Sequence, residues 1–331
     1  CVPWPCRSVA GIIGAVANNS RGVAGVMWEV ELIPLKVLGA DGRGSAWAVS
    51  KAILYAAGLA PDPEGRDNEK PAHIINLSLG GPASPLEEQA IGLAQEAGMI
   101  MVAATGNDGI ASLAYPAAYP QVIAVGAVGG GGTPHLAPYS NYGPGIDVVA
   151  PGGDGVREDY SDWILSTYPG GYGHLAGTSM ACAHVTGVIG LMLANGIAKN
   201  EIEDILQRTA MEIGDSHYFG NGLIHAAWAV NGVDRMRIIL GSREDYRINA
   251  VKEISLSPQG GDFSMRLLPG RQQLMAWVDV NGNGFVDRGD YYCETSPLEI
   301  SGGQQWSWRA ALEEVKDLEM IQPIEPVRVI D

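Results

Sequence analysis

Between residues 30 and 150 short β-branched, largely apolar runs alternate with stretches of helical character, and this pattern restricts the fold more than any other feature. The runs are "VELIPLKVL" (30–38), "HIINLSL" (73–79), "MIMVAA" (99–104), "QVIAVGAV" (121–128) and "IDVVA" (146–150). Such strands leave no face for water, which places them in a parallel sheet covered on both sides by helices. Two of the intervening stretches read as those helices. "SAWAVSKAILYAAG" (45–58) has Ala and Val at helical spacing and stops at Gly58, and "SPLEEQAIGLAQEAG" (84–98) carries a capping box. In that box Ser84 is the N-cap, Pro85 the first helical residue, Glu87 the reciprocal partner and Gly98 the stop. The expected fold is α/β, a doubly wound and mostly parallel sheet.

The chain has 331 residues, room for a large domain and a small one. The α/β domain is expected over 1–232, closing after "YFGNGLIHAAWAVNG". Over 236–311 the pattern changes to short alternating strands, "MRIIL", "SMRLL", "LMAWVDV" and "QQWSWRA", which suggest a small β-sandwich, and 312–331 reads as an extended or weakly ordered tail. A net charge of −16 excludes a phosphate-binding basic face, so no nucleic-acid partner is expected. No run of about 18 apolar residues suggests a membrane span. Cys1, Cys6, Cys182 and Cys293 show no metal-ligand spacing.

The stretch "GTSMACAHVTGVIGLMLANG" (177–196) sets a serine at the joint of a Gly-rich turn and a long apolar helix. Free N–H groups and the positive end of the helix dipole would then surround Ser179, which suits a developing oxyanion. As a pattern this stays open, because a serine at a helix start is more often only a cap. Asn107, in "AATGNDG" (103–109), likewise reads by itself as a turn former before Asp108 and Gly109.

Taken together, "GTSMACAHVTG" (177–187), "AATGNDG", "NLSLGG" (76–81), "YPAAYPQVIAVGAV" (115–128), "YSNYGPGIDVVAPG" (139–152) and "GNGLIHAAWAV" (220–230) resemble the subtilisin-like serine proteases, in family order. Ala183 and Thr186 depart from the family's Pro and Ala. The resemblance covers roughly residues 8–232. It implies a serine endopeptidase that hydrolyses peptide bonds in a peptide or protein substrate through an acyl-enzyme on Ser179, with Asn107 in the oxyanion hole and an extracellular place of action. It also implies that Ser78, Leu79 and Gly80 offer backbone to an extended substrate. The walls of the substrate pocket are expected at those residues and at Ala104, Thr105 and Gly106.

One element of the resemblance is altered. "SVAG" (8–11) aligns with the end of the family's histidine motif, and Pro5, Cys6 and Arg7 then stand where it has His-Gly-Thr. The family's aspartate lies on a strand before that motif. Of the triad, only Ser179 is represented, and the polypeptide as it stands is expected to be nearly inactive. Three explanations compete: a fragment whose first residues are misread, a natural pseudoprotease, and an enzyme with another base, for which His174 and His184 are the nearest candidates. The fragment is the favoured expectation. Reading the codons of Pro-Trp-Pro one base later yields His-Gly whenever the first degenerate base is A, and coding DNA without that dipeptide would remove the argument. Two other classes remain alternatives, an inactive peptide-binding protein using residues 78–80 and a calcium-dependent adhesion module in 236–311.

The cofactor expected is structural calcium. "DVNGNGFVDRGD" (279–290) matches the calcium-loop template, with Asp279, Asn281, Asn283, Asp287 and Asp290 as side-chain ligands, the Phe285 carbonyl between them and Gly284 at the turn. Strands rather than helices flank it. In "ANNSRGV" (17–23) the resemblance implies a second, weaker site, formed by Asn19 and the carbonyls of Arg21 and Val23. An ordinary Asn-Ser turn accounts for this stretch nearly as well.

Overall fold

A computed structural model describes the chain apart from residues 1–3, 131–132, 157–159, 233–235, 245–246, 257–269, 279–285, 287–290, 301–304, 308–312, 315–326 and 330–331. The chain divides into two compact units, Cys1–Ala226 and Ala227–Asp331.

The first unit opens with helix α1 (Trp4–Gly14), followed by α2 (Ala46–Ala56), β1 (Ile74–Leu77), α3 (Pro85–Glu96), β2 (Ile100–Ala104) and β3 (Ile123–Gly129). Next come the short β4 (His135–Leu136), β5 (Val148–Pro151), a hairpin of β6 (Ile164–Tyr168) and β7 (Gly171–Leu175), the long α4 (Thr178–Ala194), α5 (Ile202–Arg208) and α6 (Ser216–Phe219). The order β1-β2-β3-β5 is parallel throughout, and β4 adds antiparallel to the end of β3. Every residue of β2 and β3 is buried, as their unbroken apolar sequences require. Helix α4 is buried over most of its circumference, which explains a sequence apolar on every side. Its first turns receive α1: Val9, Ile12 and Ile13 pack against Met180 and Ala183. Strand β6 binds α1 from another side, with the Ser8 hydroxyl donating to the Thr167 carbonyl at 2.9 Å and the Ser166 hydroxyl to the Ser8 carbonyl at 2.8 Å.

Two local expectations need correction. The run 30–38 forms no strand: residues 28–36 are exposed, and Val37 alone of its β-branched residues packs on the core. The cause is the lack of a neighbour, since β1 pairs with β2 and with no other strand among the described residues. The capping box of α3 does not close either. Ser84 takes the extended N-cap conformation, but the Tyr119 hydroxyl accepts its N–H and donates to its carbonyl, both at 2.9 Å. Glu87 turns inward to 5% exposure, its Oε1 has no hydrogen-bond partner, and burial raises its pKa. The N-cap of α2, by contrast, is made as read, with Ala48 N–H donating to Ser45 Oγ at 3.2 Å.

The second unit holds α7 (Ala226–Asn231), apart from its first residue, and strands β8 (Met236–Glu244), β9 (Arg247–Leu256), β10 (Gly270–Val278), β11 (Tyr291–Glu294), β12 (Leu298–Ile300), β13 (Gln305–Ser307), β14 (Glu313–Glu314) and β15 (Val327–Val329). Six of these strands form one antiparallel sheet and β13–β15 a separate pair. Ile239, Met275, Trp277, Val286 and Tyr292 make its core. Trp228 of α7 meets Tyr291 edge to face with centroids 5.6 Å apart. This contact draws α7 into the second unit, whereas the sequence places the division near 232. Strand β9 has no counterpart among the runs read from sequence, because Arg, Asn, Lys and Glu break its apolar pattern. The run "SMRLL" (264–268) lies outside the described residues.

Candidate active site

Helix α4 begins at Gly177, whose φ of 159° and ψ of 157° let the chain enter the helix abruptly. Ser179 is therefore in the first turn, where N–H groups lack helical partners. Its own N–H has no acceptor among the described residues, while the next, Met180 N–H, donates to the Gly177 carbonyl at 3.0 Å. Ser179 Oγ donates to the Ser78 carbonyl at 3.4 Å, a long bond that leaves the hydroxyl weakly held.

Asn107 reaches the same point from the loop after β2. Its Oδ1 accepts from Thr178 N–H at 2.9 Å and from Thr178 Oγ1 at 2.8 Å. With the carbonyl end so committed, the amide Nδ2–H₂ is the free end of an exposed side chain. The structure thus fastens the Asn107 side chain to Thr178, the residue next to Ser179 in the first turn of α4.

The two stretches read from sequence as pocket walls lie at the C-terminal ends of β1 and β2. Ser78 Oγ donates to the Ser179 carbonyl at 3.0 Å, which ties the end of β1 to the first turn of α4. Leu79 rests on the main core, and neither Leu79 nor Gly80 has a main-chain hydrogen bond among the described residues. On the other side Ala104 ends β2, Thr105 N–H donates to the Val125 carbonyl at 3.1 Å, and Gly106 has φ +110°. Residues 114–115 join the two walls. Ala114 N–H donates to the Thr105 carbonyl at 2.9 Å, and Tyr115 exchanges hydrogen bonds of 3.0 and 2.8 Å with Gly81.

Three residues that shape the site have no role in the sequence reading. Thr178 orients Asn107. Asn141 is 1% exposed and holds the oxyanion loop, accepting Asp108 N–H at 2.8 Å and Ile110 N–H at 3.4 Å on Oδ1 and donating its own N–H to the Gly106 carbonyl at 3.1 Å. A side chain at position 106 would collide with the Asn141 amide, which is why glycine stands there. Asn76 donates to Ser78 Oγ at 2.9 Å and accepts from Thr186 Oγ1 at 2.9 Å and Cys182 Sγ at 3.3 Å. Cys182 is fully buried and its pKa is pushed up to about 12, so it stays a neutral thiol. The signal for Thr178 and Asn141 was their place in the quoted motifs; nothing in the spacing said what they hold.

Neither histidine near Ser179 in sequence bonds it. His184 Nδ1 lies 2.9 Å from the Met180 carbonyl, and burial lowers its pKa, which keeps the ring neutral. The His174 ring stacks on Tyr160 with centroids 5.9 Å apart. Pro5, Cys6 and Arg7 belong to α1, and the Arg7 carbonyl accepts Thr167 Oγ1 at 2.7 Å.

Residues 7–222 match the family model described as the subtilase family. The chain belongs to the subtilase family. This subtilase is 39% identical over 222 residues to Subtilisin BL of Lederbergia lenta, which covers 66% of this chain and 74% of that protein. It is 39% identical over 222 residues to M-protease of Shouchella clausii, covering 66% of this chain but 52% of the relative. Thermitase of Thermoactinomyces vulgaris is 37% identical over 224 residues, or 67% of this chain and 72% of its own. Among solved structures, proteases from Pseudoalteromonas arctica PAMC 21717 match with a TM-score of 0.63 and 38% identity, covering 67% of this chain and 69% of theirs. All these likenesses concern about two thirds of the subtilase, in agreement with a family match that ends at 222. No helix among the described residues is long and apolar enough to cross a membrane.

Asp279, Asn281, Asn283, Phe285, Asp287 and Asp290 lie outside the described residues. Asn19 sits in the loop after α1, where its Oδ1 accepts Arg21 N–H at 3.0 Å. Among the described residues no three His, Cys, Asp or Glu side chains gather as a metal site, so the Asn19 loop offers a hard cation neutral oxygens only.

Proposed function

We propose that this subtilase is a serine endopeptidase in which Ser179 attacks the scissile carbonyl, the Ser179 N–H and Asn107 Nδ2 receive the oxyanion, and residues 78–80 and 104–106 hold an extended peptide. One observation supports the reading: the N–H and the hydroxyl of Thr178, the residue next to Ser179, both donate to the oxygen end of Asn107, which leaves its nitrogen end to face a substrate. In the attack, the Ser179 Oγ–carbon bond forms as the carbonyl π pair moves to oxygen; the Ser179 proton must pass to a base and then to the leaving amine. No described residue takes that proton from Ser179. We therefore expect slow chemistry from these 331 residues. An extracellular place of action belongs to the same proposal, on the family resemblance.

The test is labelling of the chain by a fluorophosphonate probe, with peptide mapping of the adduct. Slow labelling confined to Ser179, absent in Ser179→Ala, is the expected result. A Ser179→Ala variant labelled like its parent would remove Ser179 as nucleophile.

Structural calcium at 279–290 is the second part of the proposal, supported by ligand spacing alone. Chelation by EGTA should lower the Tm of the intact chain by several degrees, and Asp279→Ala should lower it equally and abolish the response to EGTA. A Tm that EGTA does not move would exclude the site.

A further inference from the structure

Between β1 and α4 lies a set of polar side chains, Asn76, Ser78, Cys182 and Thr186, whose hydrogen bonds allow one proton order. Ser78 Oγ is 3.0 Å from the Ser179 carbonyl and 2.9 Å from Asn76 Nδ2. A carbonyl offers only lone pairs, so Ser78 must give it the hydroxyl proton and accept from Asn76 in turn. The nitrogen end of the Asn76 amide therefore faces Ser78. Its oxygen end faces α4, where Thr186 Oγ1 stands at 2.9 Å and Cys182 Sγ at 3.3 Å, and both must donate. Cys182 is the poorer donor, because a thiol donates weakly and its single proton is divided between Asn76 Oδ1 and the Val102 carbonyl at 3.4 Å. Thr186 is 6% exposed, and its hydroxyl has no other acceptor among the described residues. It is the donor that fixes the amide.

We propose that Thr186, two turns along α4 from Ser179, is a positioning residue for the nucleophile, acting through Asn76 and Ser78 on the Ser179 main chain. The inference rests on the proposed role of Ser179 and adds to it what sets that residue in place. Without the Thr186 hydroxyl, Asn76 Oδ1 keeps only the shared thiol. The amide is then free to turn over, since sulfur also accepts weakly and Ser78 can donate to the oxygen it would meet. In that arrangement Ser78 gives its proton to Asn76 and meets the Ser179 carbonyl lone pair to lone pair, so the 3.0 Å tie is lost. Ser78 and Ser179 are tied twice, the second time by Ser179 Oγ to the Ser78 carbonyl at 3.4 Å, and the first tie sets the distance over which the second is made. Its loss lets the first turn of α4 shift against the end of β1, carrying the Ser179 hydroxyl and N–H with it. A displaced reacting group loses rate even where binding is kept. The resembling motif has Ala at position 186, so this brace is a feature of the present chain and can be removed without touching the rest of the motif.

The test is the rate at which a fluorophosphonate probe labels the intact chain over a range of probe concentrations. Thr186→Val keeps the shape of the side chain and deletes the hydroxyl. It is expected to lower the maximal labelling rate about fivefold, the factor that one neutral hydrogen bond is worth, with the half-saturating probe concentration unchanged. Thr186→Ser restores the donor and should label within about twofold of the parent. In a Ser78→Ala background the connection is already cut, and Thr186→Val should cost no further rate. Thr186→Ala serves the same purpose should the valine variant not fold. Labelling of Thr186→Val at the parent rate, a serine variant as slow as the valine one, or the full loss retained in the Ser78→Ala background would each overturn the role of Thr186. Ser179→Ala keeps the two levels apart. If it is labelled like its parent, the nucleophile itself is wrong; if it stays blank while Thr186→Val matches the parent, only the brace is.

Discussion

Gly222→Ala is expected to destabilise the first unit by about 4 kcal/mol or more, enough to unfold much of it under conditions where the parent is native. Gly222 has φ +122°, and a Cβ there would stand inside contact distance of the Met211 carbonyl oxygen, 2.5 Å from its carbon and 3.0 Å from Glu212 N. All three are main-chain atoms and cannot swing aside like the end of a side chain. The glycine is also where two segments are stitched together. Val149 N–H of β5 donates to the Gly222 carbonyl at 2.9 Å, Ile224 N–H returns to the Val149 carbonyl at 3.0 Å, and Leu223 exchanges bonds of 2.7 and 2.8 Å with Met211. Relief of the clash must lengthen several of these bonds, each worth about 0.5–1.5 kcal/mol, on top of about 1–3 kcal/mol for a side chain in that backbone region. Urea unfolding followed by circular dichroism measures the loss. Gly42→Ala is the comparison: φ is +74° there too, but nothing lies within 4 Å of the new Cβ, so only the conformational cost remains. Equal midpoints for the two variants would show that the contact with residue 211 does not decide the matter.

The same distinction between local and distant causes separates what the sequence made legible from what it did not. Strands β2, β3 and β5 could be read because a run such as "MIMVAA" fits no environment but a covered sheet. The run 30–38 is rich in the same apolar residues but is interrupted by Glu31, Pro34 and Lys36, and it has no neighbouring strand among the described residues. The capping box at Ser84 failed for a related reason: a tyrosine 35 residues away competes for the same main-chain groups. At the site, Ser179 and Asn107 were legible as members of motifs. Their orientation was not, because it depends on Thr178 and Asn141, whose hydrogen bonds exist only once the loop after β2 closes on the start of α4. Strand β9 was hidden by the charged residues in its sequence, which interrupt the apolar alternation that marks a strand.

Asn107→Leu is expected to lower the residual esterase rate of this chain about 100- to 1000-fold, or about 2.7–4 kcal/mol of transition-state stabilisation, a figure measured in a subtilisin and carried over to this relative. The suitable substrate is a p-nitrophenyl ester, whose leaving group departs without a proton. Its hydrolysis therefore tests the oxyanion donors without asking for a general acid, and residual catalysis of this kind persists in such sites when other groups are removed. Leucine matches asparagine in size but offers no N–H, so the developing charge keeps only the Ser179 N–H. Thr178→Val should have a smaller effect of the same kind. It removes the 2.8 Å bond to Asn107 Oδ1 but keeps the 2.9 Å bond from the Thr178 main chain, so the amide is loosened and not lost. The order parent, Thr178→Val, Asn107→Leu, with Ser179→Ala at the uncatalysed rate, would establish that Thr178 acts through Asn107. Esterase activity in Asn107→Leu within a factor of two of the parent, with Ser179→Ala still inactive, would mean that the helix N-terminus stabilises the oxyanion alone and that the Asn107 amide is only a fastening for the loop.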